Sequence, residues 1–231
     1  MPRQPRRRSY DQYCAAARAL DAVGDRWTLL IVRELLAGPR RYTDLHADLP
    51  GVSTDVLASR LKDMEREGLA TRRKLPPPGV ATVYELTARG RELLPVLTAL
   101  AAWGAPELAE RRPTDAVRAH WFAIPLVQRL RRLPGAPAVL DVRLDEGEFH
   151  VRLGGDGPSG DLGPADGLGR SGDFGPVYGE GAAPDADARL VMDADTCRAL
   201  AEGALTVEEA VKDGRIEVAG DGPVVAALRG E

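Results

Sequence analysis

The sequence predicts an α+β fold in two modules. Two observations carry this: charge is divided unevenly along the chain, and the pattern of periodic segments changes near residue 112. Residues 1–112 hold 19 basic and 14 acidic residues, net +5; residues 113–231 hold 12 and 21, net −9; the total of −4 describes neither. A basic part joined to an acidic part implies different partners. The modules are expected at 11–111 and 113–231.

In the basic part, Ala16, Ala17, Leu20 and Val23 follow Tyr13 at helical spacing, and Gly24 ends that segment. Asp25 can cap a second helix carrying Trp27, Leu30, Ile31 and Leu35, which Gly38-Pro39 stops. Thr43 begins a short helix that ends at Pro50-Gly51. Ser53 is an N-cap candidate for a longer helix through Glu67, with Leu57, Leu61 and Met64 on one face and Asp55, Ser59, Lys62 and Arg66 on the other. Strand-like runs at 69–75 and 82–86 flank a proline-rich hairpin tip, and Thr87 caps a final helix carrying Leu93, Leu94, Leu97, Leu100 and Trp103. Trp27, Leu57, Leu61 and Trp103 are expected in the core.

This order is that of a winged helix-turn-helix. A capped helix can dock by its apolar face and offer its polar face to the major groove, while a basic hairpin reaches phosphates. The residues also resemble the HxlR-type transcriptional regulators, relatives of the MarR group, over roughly 10–110. The matching runs are Cys14, Gly24 to Ile31, Gly38 to Tyr42, Gly51-Val52-Ser53, Leu57, Arg60-Leu61, Glu65 to Leu69, Tyr84 to Thr87, Gly90 and Trp103-Gly104. The resemblance implies a homodimer, paired through its terminal helices, on a pseudo-palindrome in double-stranded DNA. The DNA-facing candidates are Ser53, Thr54, Asp55, Ser59 and Lys62 on the recognition helix. Arg40, Arg41 and Thr43 would touch backbone at the helix entrance, and Arg72, Arg73, Lys74 and Thr82 would form the wing. The bland alternative is a solvated charged face, and Arg60 and Arg66 can pair with Asp63 and Glu67. Some relatives sense oxidants through a cysteine near Cys14, which makes it a redox candidate. Without a second cysteine in this part, it reads better as a small buried hydrophobe.

In the acidic part, 114–133 reads as an amphipathic helix, bent at Pro125. Alternation at 139–144, a turn at Asp145-Glu146-Gly147 and a returning strand carrying Phe149, Val151 and Leu153 signal a hairpin. Glycine and proline crowd 154–188, with short strands expected at 160–162, 167–171 and 176–178. A strand at 189–192, a helix capped by Asp193 or Asp195, a helix capped by Thr206, a strand at 215–219 and a closing helix at 222–228 follow. The tail from Asp193 through Leu205-Thr206, Asp213-Gly214, Ile216-Glu217-Val218 and Gly220-Asp221 resembles sterol-carrier-protein-type-2-like domains over roughly 189–228, and more weakly upstream. That resemblance implies an α+β sheet-and-helix domain with an apolar cavity. Trp121, Phe122, Phe149, Phe174 and Tyr178 are the aromatics available to line it, or equally to fill a core.

Composition bounds the rest. A hydrophobic share of 44% supports packed cores, and two cysteines cannot build a disulfide framework. No apolar run reaches the roughly 18 residues of a membrane span, and the basic arm with Arg3, Arg6, Arg7 and Arg8 lacks the apolar stretch of a secretory signal. No membrane partner is expected, and a cytoplasmic protein is. His46, His120 and His150 are scattered, and no catalytic triad, metal site, phosphate loop or cofactor motif emerges. The expectation is a non-enzymatic, dimeric transcriptional regulator modulated by a small apolar or amphipathic effector. The alternative is an acidic module that only dimerises or recruits a protein partner. Its charge should keep it off the duplex.

Overall fold

The computed structural model describes residues 9–76, 81–108, 111–130, 137–153 and 178–230. The hairpin tip at 77–80, the basic arm at 1–8, Phe174, and the strands expected at 160–162 and 167–171 lie outside them. The chain forms two compact units, Met1–Leu35 with Pro39–Arg91, and Leu36–Gly38 with Glu92–Glu231.

The first unit runs α1 (Ala15–Val23), α2 (Thr28–Leu36), β1 (Arg40–Arg41), α3 (Tyr42–Asp48), α4 (Thr54–Arg66), β2 (Ala70–Lys74), β3 (Thr82–Leu86) and α5 (Ala88–Arg91). Its interior is built from Ile31, Val32 and Leu35 of α2, Leu45 of α3, Leu57, Leu61 and Met64 of α4, and Leu69, Val83 and Leu86 around the hairpin. The three strands pair antiparallel in the order β1-β3-β2, with Tyr84 opposite Arg40 on one side and Arg72 on the other. Gly90 lies against the hairpin so closely that a Cβ there would collide with the Leu69 carbonyl oxygen.

Several expectations change here. The first helix starts only at Ala15, because Ser9 Oγ and the Tyr10 N–H donate to the Asp21 carboxylate (3.0 and 2.9 Å) and fold the preceding segment back. Tyr13 is therefore fully exposed, and Cys14, the residue before α1, is exposed rather than a buried hydrophobe. Asp25 does not cap α2 through its side chain; its carboxylate pairs with Arg60 of α4. The single helix expected after Thr87 is two, α5 and α6 (Leu94–Gly104), because Pro95 has no N–H to continue the ladder.

The second unit contains α6, a 3-10 turn at Ala119–Phe122, α7 (Ala123–Leu130), β4 (Ala138–Leu144), β5 (Gly147–Leu153), β6 (Tyr178–Glu180), β7 (Ala188–Val191), α8 (Ala194–Glu202), α9 (Val207–Lys212), β8 (Glu217–Gly220) and α10 (Pro223–Arg229). Although α6 was expected with the first module, it belongs here: Leu94 and Leu97 are buried and the helix packs with α7. Trp103 is 82% exposed, not core. It shares the side of α6 occupied by exposed Val96 and Leu100, and helical periodicity alone does not say which side of an all-round apolar helix is covered. The helix expected from 114 begins only at Ala119, since a turn joins Asp115 to the Arg112 backbone.

Five strands form one sheet in the order β6-β5-β4-β7-β8, antiparallel except for the parallel pair β4–β7. Leu140, Val142 and Leu144 of β4 and Phe149, Val151 and Leu153 of β5 are buried, as alternation requires, and α7 covers β5 and packs with α8. The next row of the sheet is polar: Asp141 lies opposite His150 and Arg189, is 4% exposed, and its carboxylate accepts from the Ala183 N–H at 2.8 Å. Helix α9 carries a complete capping box between Thr206 and Glu209.

Asp193 caps α8, accepting from the Thr196 N–H at 2.6 Å, and hydrogen bonds from the hydroxyl and N–H of Thr196 hold its carboxyl below the ordinary aspartate value. A lowered folded value stabilises fully above the unfolded pKa and is lost as pH falls through the folded one. Asp193→Ala is therefore expected to cost about 1 kcal/mol at pH 7. In urea melts the gap from the parent protein should shrink below about pH 4, and a gap independent of pH would contradict the capping role.

Candidate nucleic-acid interface

Helix α4 presents the candidate residues because its other side is committed. Leu57, Leu61 and Met64 are each no more than 1% exposed, so Thr54, Asp55, Ser59 and Lys62 are left on the solvent side. The Ser53 hydroxyl accepts from the Val56 N–H at 3.3 Å and fixes where the helix starts. Tyr42, at the head of α3, donates its hydroxyl to the Thr54 carbonyl at 2.7 Å and ties the first turn of α4 to the preceding helix. Arg60 pairs with Asp25 and, at 2.7 Å, with Asp63, which also holds Arg66 at 2.7 Å.

These contacts sort the charges into two kinds. Arg60, Arg66 and Asp63 are occupied with one another, whereas among the described residues Asp55 and Lys62 have no hydrogen-bond or ion-pair partner. At the helix entrance Arg40 is half-buried and directed at Asp48 (3.9 Å), while Arg41 and Thr43 are exposed. The Arg41 N–H donates to the Asp44 carboxylate, and the Thr43 hydroxyl lies 3.2 Å from it.

On the hairpin, Arg72, Arg73, Lys74 and Thr82 are all exposed. Arg73 is engaged: its guanidinium makes three hydrogen bonds of 3.1 Å to the Glu85 carboxylate, which raise its pKa further. Glu85 faces Thr71 in the ladder, one diagonal from Arg73, a relation that depends on the register between the two strands. The aligned hairpin also brings Thr82 directly opposite Lys74. Sequence reasoning missed three partners that hold the candidates in place, Tyr42, Asp25 and Glu85.

In the second unit Phe149 and Tyr178 are 0% and 1% exposed and fill its interior on neighbouring strands. Trp121 and Phe122 are half-buried on the 3-10 turn that packs on β5 and β6. Among the described residues no group of three or more His, Cys, Asp or Glu side chains is placed to hold a metal ion, and no helix is long and apolar enough to cross a membrane.

The two cysteines differ sharply. Cys14 is exposed, whereas Cys197 is buried in α8 and burial pushes its thiol up to about 12. Reactivity follows thiolate fraction and access. In the native protein at pH 8, an alkylating reagent read by intact mass should add one label at Cys14. A second at Cys197 should require denaturant, and prompt double labelling would contradict the buried placement.

The profile of the HxlR-like helix-turn-helix family matches residues 22–112. The chain is 40% identical over 86 residues to the uncharacterized HTH-type transcriptional regulator YvaP of Bacillus subtilis, a match covering 37% of this chain and 80% of that protein. It is 40% identical over 99 residues to an uncharacterized HTH-type transcriptional regulator of Synechocystis, covering 42% and 72%. It is 35% identical over 85 residues to the HTH-type transcriptional regulator YodB of Bacillus subtilis, covering 37% and 76%.

Proposed function

The chain belongs to the HxlR-like helix-turn-helix family, and from that membership we propose that it is a dimeric regulator binding a pseudo-palindromic operator, with its second unit sensing a small apolar or amphipathic effector. DNA binding and regulation of transcription are the family's activity, and the relatives are regulators rather than enzymes. The observation that carries the reading is α4 itself, buried along Leu57, Leu61 and Met64 and open along Asp55, Ser59 and Lys62, beside a hairpin bearing Arg72, Arg73 and Lys74. That pairing offers side chains to base edges and cations to phosphates. Arg41 and Thr43 reach backbone at the helix entrance, Ser53 and Thr54 sit at its first turn, and Thr82 flanks the wing. Arg40, which lies 3.9 Å from Asp48, stands with them at the entrance.

Dimerisation is supported by the uncovered apolar side of α6, where Val96, Leu100 and Trp103 are exposed. The protein works in the cytoplasm, beside the DNA it reads. For the second unit we propose a sterol-carrier-like sheet-and-helix domain, supported by the mixed five-stranded sheet and the capped helices α8 and α9. An effector would enter beside the half-buried Trp121 and Phe122. Recruitment of a protein partner is the competing use of this unit, and failure of every apolar ligand to bind would favour it.

Two measurements test these points. Against operator DNA, Arg72→Ala should lower the slope of log affinity against log salt by about 1. Arg73→Ala should lower it less, because Glu85 already holds that guanidinium. Unchanged slopes in the double variant would remove the wing from the contact. Coupling between effector and DNA must also be reciprocal. An apolar fluorescent ligand should bind the DNA-loaded protein more weakly by the same factor as it weakens DNA binding, and equal affinity with and without DNA would end the allosteric reading.

A further inference from the structure

The open face of α4 carries a carboxylate where a DNA-reading helix faces a polyanion. Asp55 is exposed in the first turn and, among the described residues, has no partner to neutralise it. Lys62, seven residues on, is exposed and equally unpartnered. The two arginines of the helix are held, Arg60 by Asp25 and Asp63, and Arg66 by Asp63 and Glu67, while exposed Glu65 lies one turn beyond Lys62 toward the helix end. Ser59 lies between the two and receives a 3.4 Å contact from Arg60.

Resting on the DNA-binding reading above, we propose that Asp55 and Lys62 set the base specificity of the half-site. Asp55 accepts from the N4 amino group of a cytosine, and Lys62 donates to O6 and N7 of a guanine about three base-pair steps away. The chemistry of the groove limits the choices. Near phosphates a carboxylate is repelled unless it meets a donor, and the major-groove donors are cytosine N4 and adenine N6. Adenine sets its N7 acceptor beside N6, which disfavours a group that only accepts, so cytosine is the match. Lysine only donates, and guanine alone shows two adjacent acceptors. Seven residues at about 1.5 Å each span about 10.5 Å, two helical turns, and base pairs stacked about 3.4 Å apart make that close to three steps. The serine between them donates or accepts and so selects weakly. Asp55 also acts against wrong sites, since a thymine or guanine at its position would present only acceptors to it.

The test is selection of duplexes from a random library by the full-length protein, followed by affinity measurements on the enriched site with every base at each position. The parent protein should enrich a half-site with cytosine and guanine about three steps apart. Asp55→Asn should switch the cytosine position to adenine, because an amide bonds N6 and N7 together, and the swing between the two bases should be roughly ten- to hundredfold. Asp55→Ala should lose preference there while leaving the other positions unchanged, and Lys62→Ala should relax only the guanine position. Unaltered base preferences in the two Asp55 variants, with the helical circular dichroism of the parent, would overturn the assignment while leaving DNA binding intact. Failure of the parent protein to enrich any sequence or to bind duplex DNA at low salt would overturn the DNA-binding reading itself.

Discussion

Burial of Leu57, Leu61 and Met64 decides which side of α4 the solvent sees. Each such side chain contributes about 1.5–3 kcal/mol when removed from water, so rolling the helix to hide Asp55 or Lys62 instead would forfeit several contacts and bury unpaired charge. The Ser53 cap sets the rotation from one end, and the Tyr42 hydroxyl bound to the Thr54 carbonyl sets it from the side. With the helix fixed in azimuth, the spacing of the open residues becomes a rigid ruler. Arg60, Asp25, Asp63 and Arg66 then act as a brace along its edge, and their charges are consumed by structure.

Much of this was legible in the sequence, and for a physical reason. Caps, turns and amphipathic stripes are local: Ser53, Thr87, Asp193 and Thr206 each act within three residues of themselves. The buried faces of β4 and β5 followed from alternation in the same way. Contacts between distant residues were not legible. Arg60 meets Asp25 across 35 positions, Arg73 meets Glu85 across 12, and Tyr42 meets Thr54 across 12. Tyr13, Cys14 and Trp103 failed for a related reason, since periodicity identifies a helix and its apolar residues but not the presence of a neighbour to cover them. The helix expected from 114 failed because a turn at Asp115 claimed the backbone first.

The second unit is organised on different terms. Its sheet has an apolar face under α7 and a polar face on which Asp141 is buried but bound by the Ala183 N–H and approached by Arg189 at 3.5 Å. A carboxylate with a backbone donor and a cation is tolerated where a bare one would be costly. Among the described residues after 112, Asp141 is the one buried carboxylate, and aliphatic side chains make the interior with Phe149 and Tyr178 among them.

The exposed side of α6 has a consequence for how such a protein counts itself. Val96, Leu100 and Trp103 leave apolar area in water that a second copy of the chain can remove. When assembly is driven by such a face, the assembled form grows as the square of chain concentration while it is scarce, and the folded state gains stability by mass action once it is abundant. Halving the amount of protein would then cut occupancy of a two-fold site about fourfold in the scarce regime. The threshold at which regulation begins would be written in the packing of one tryptophan rather than in any residue that touches DNA.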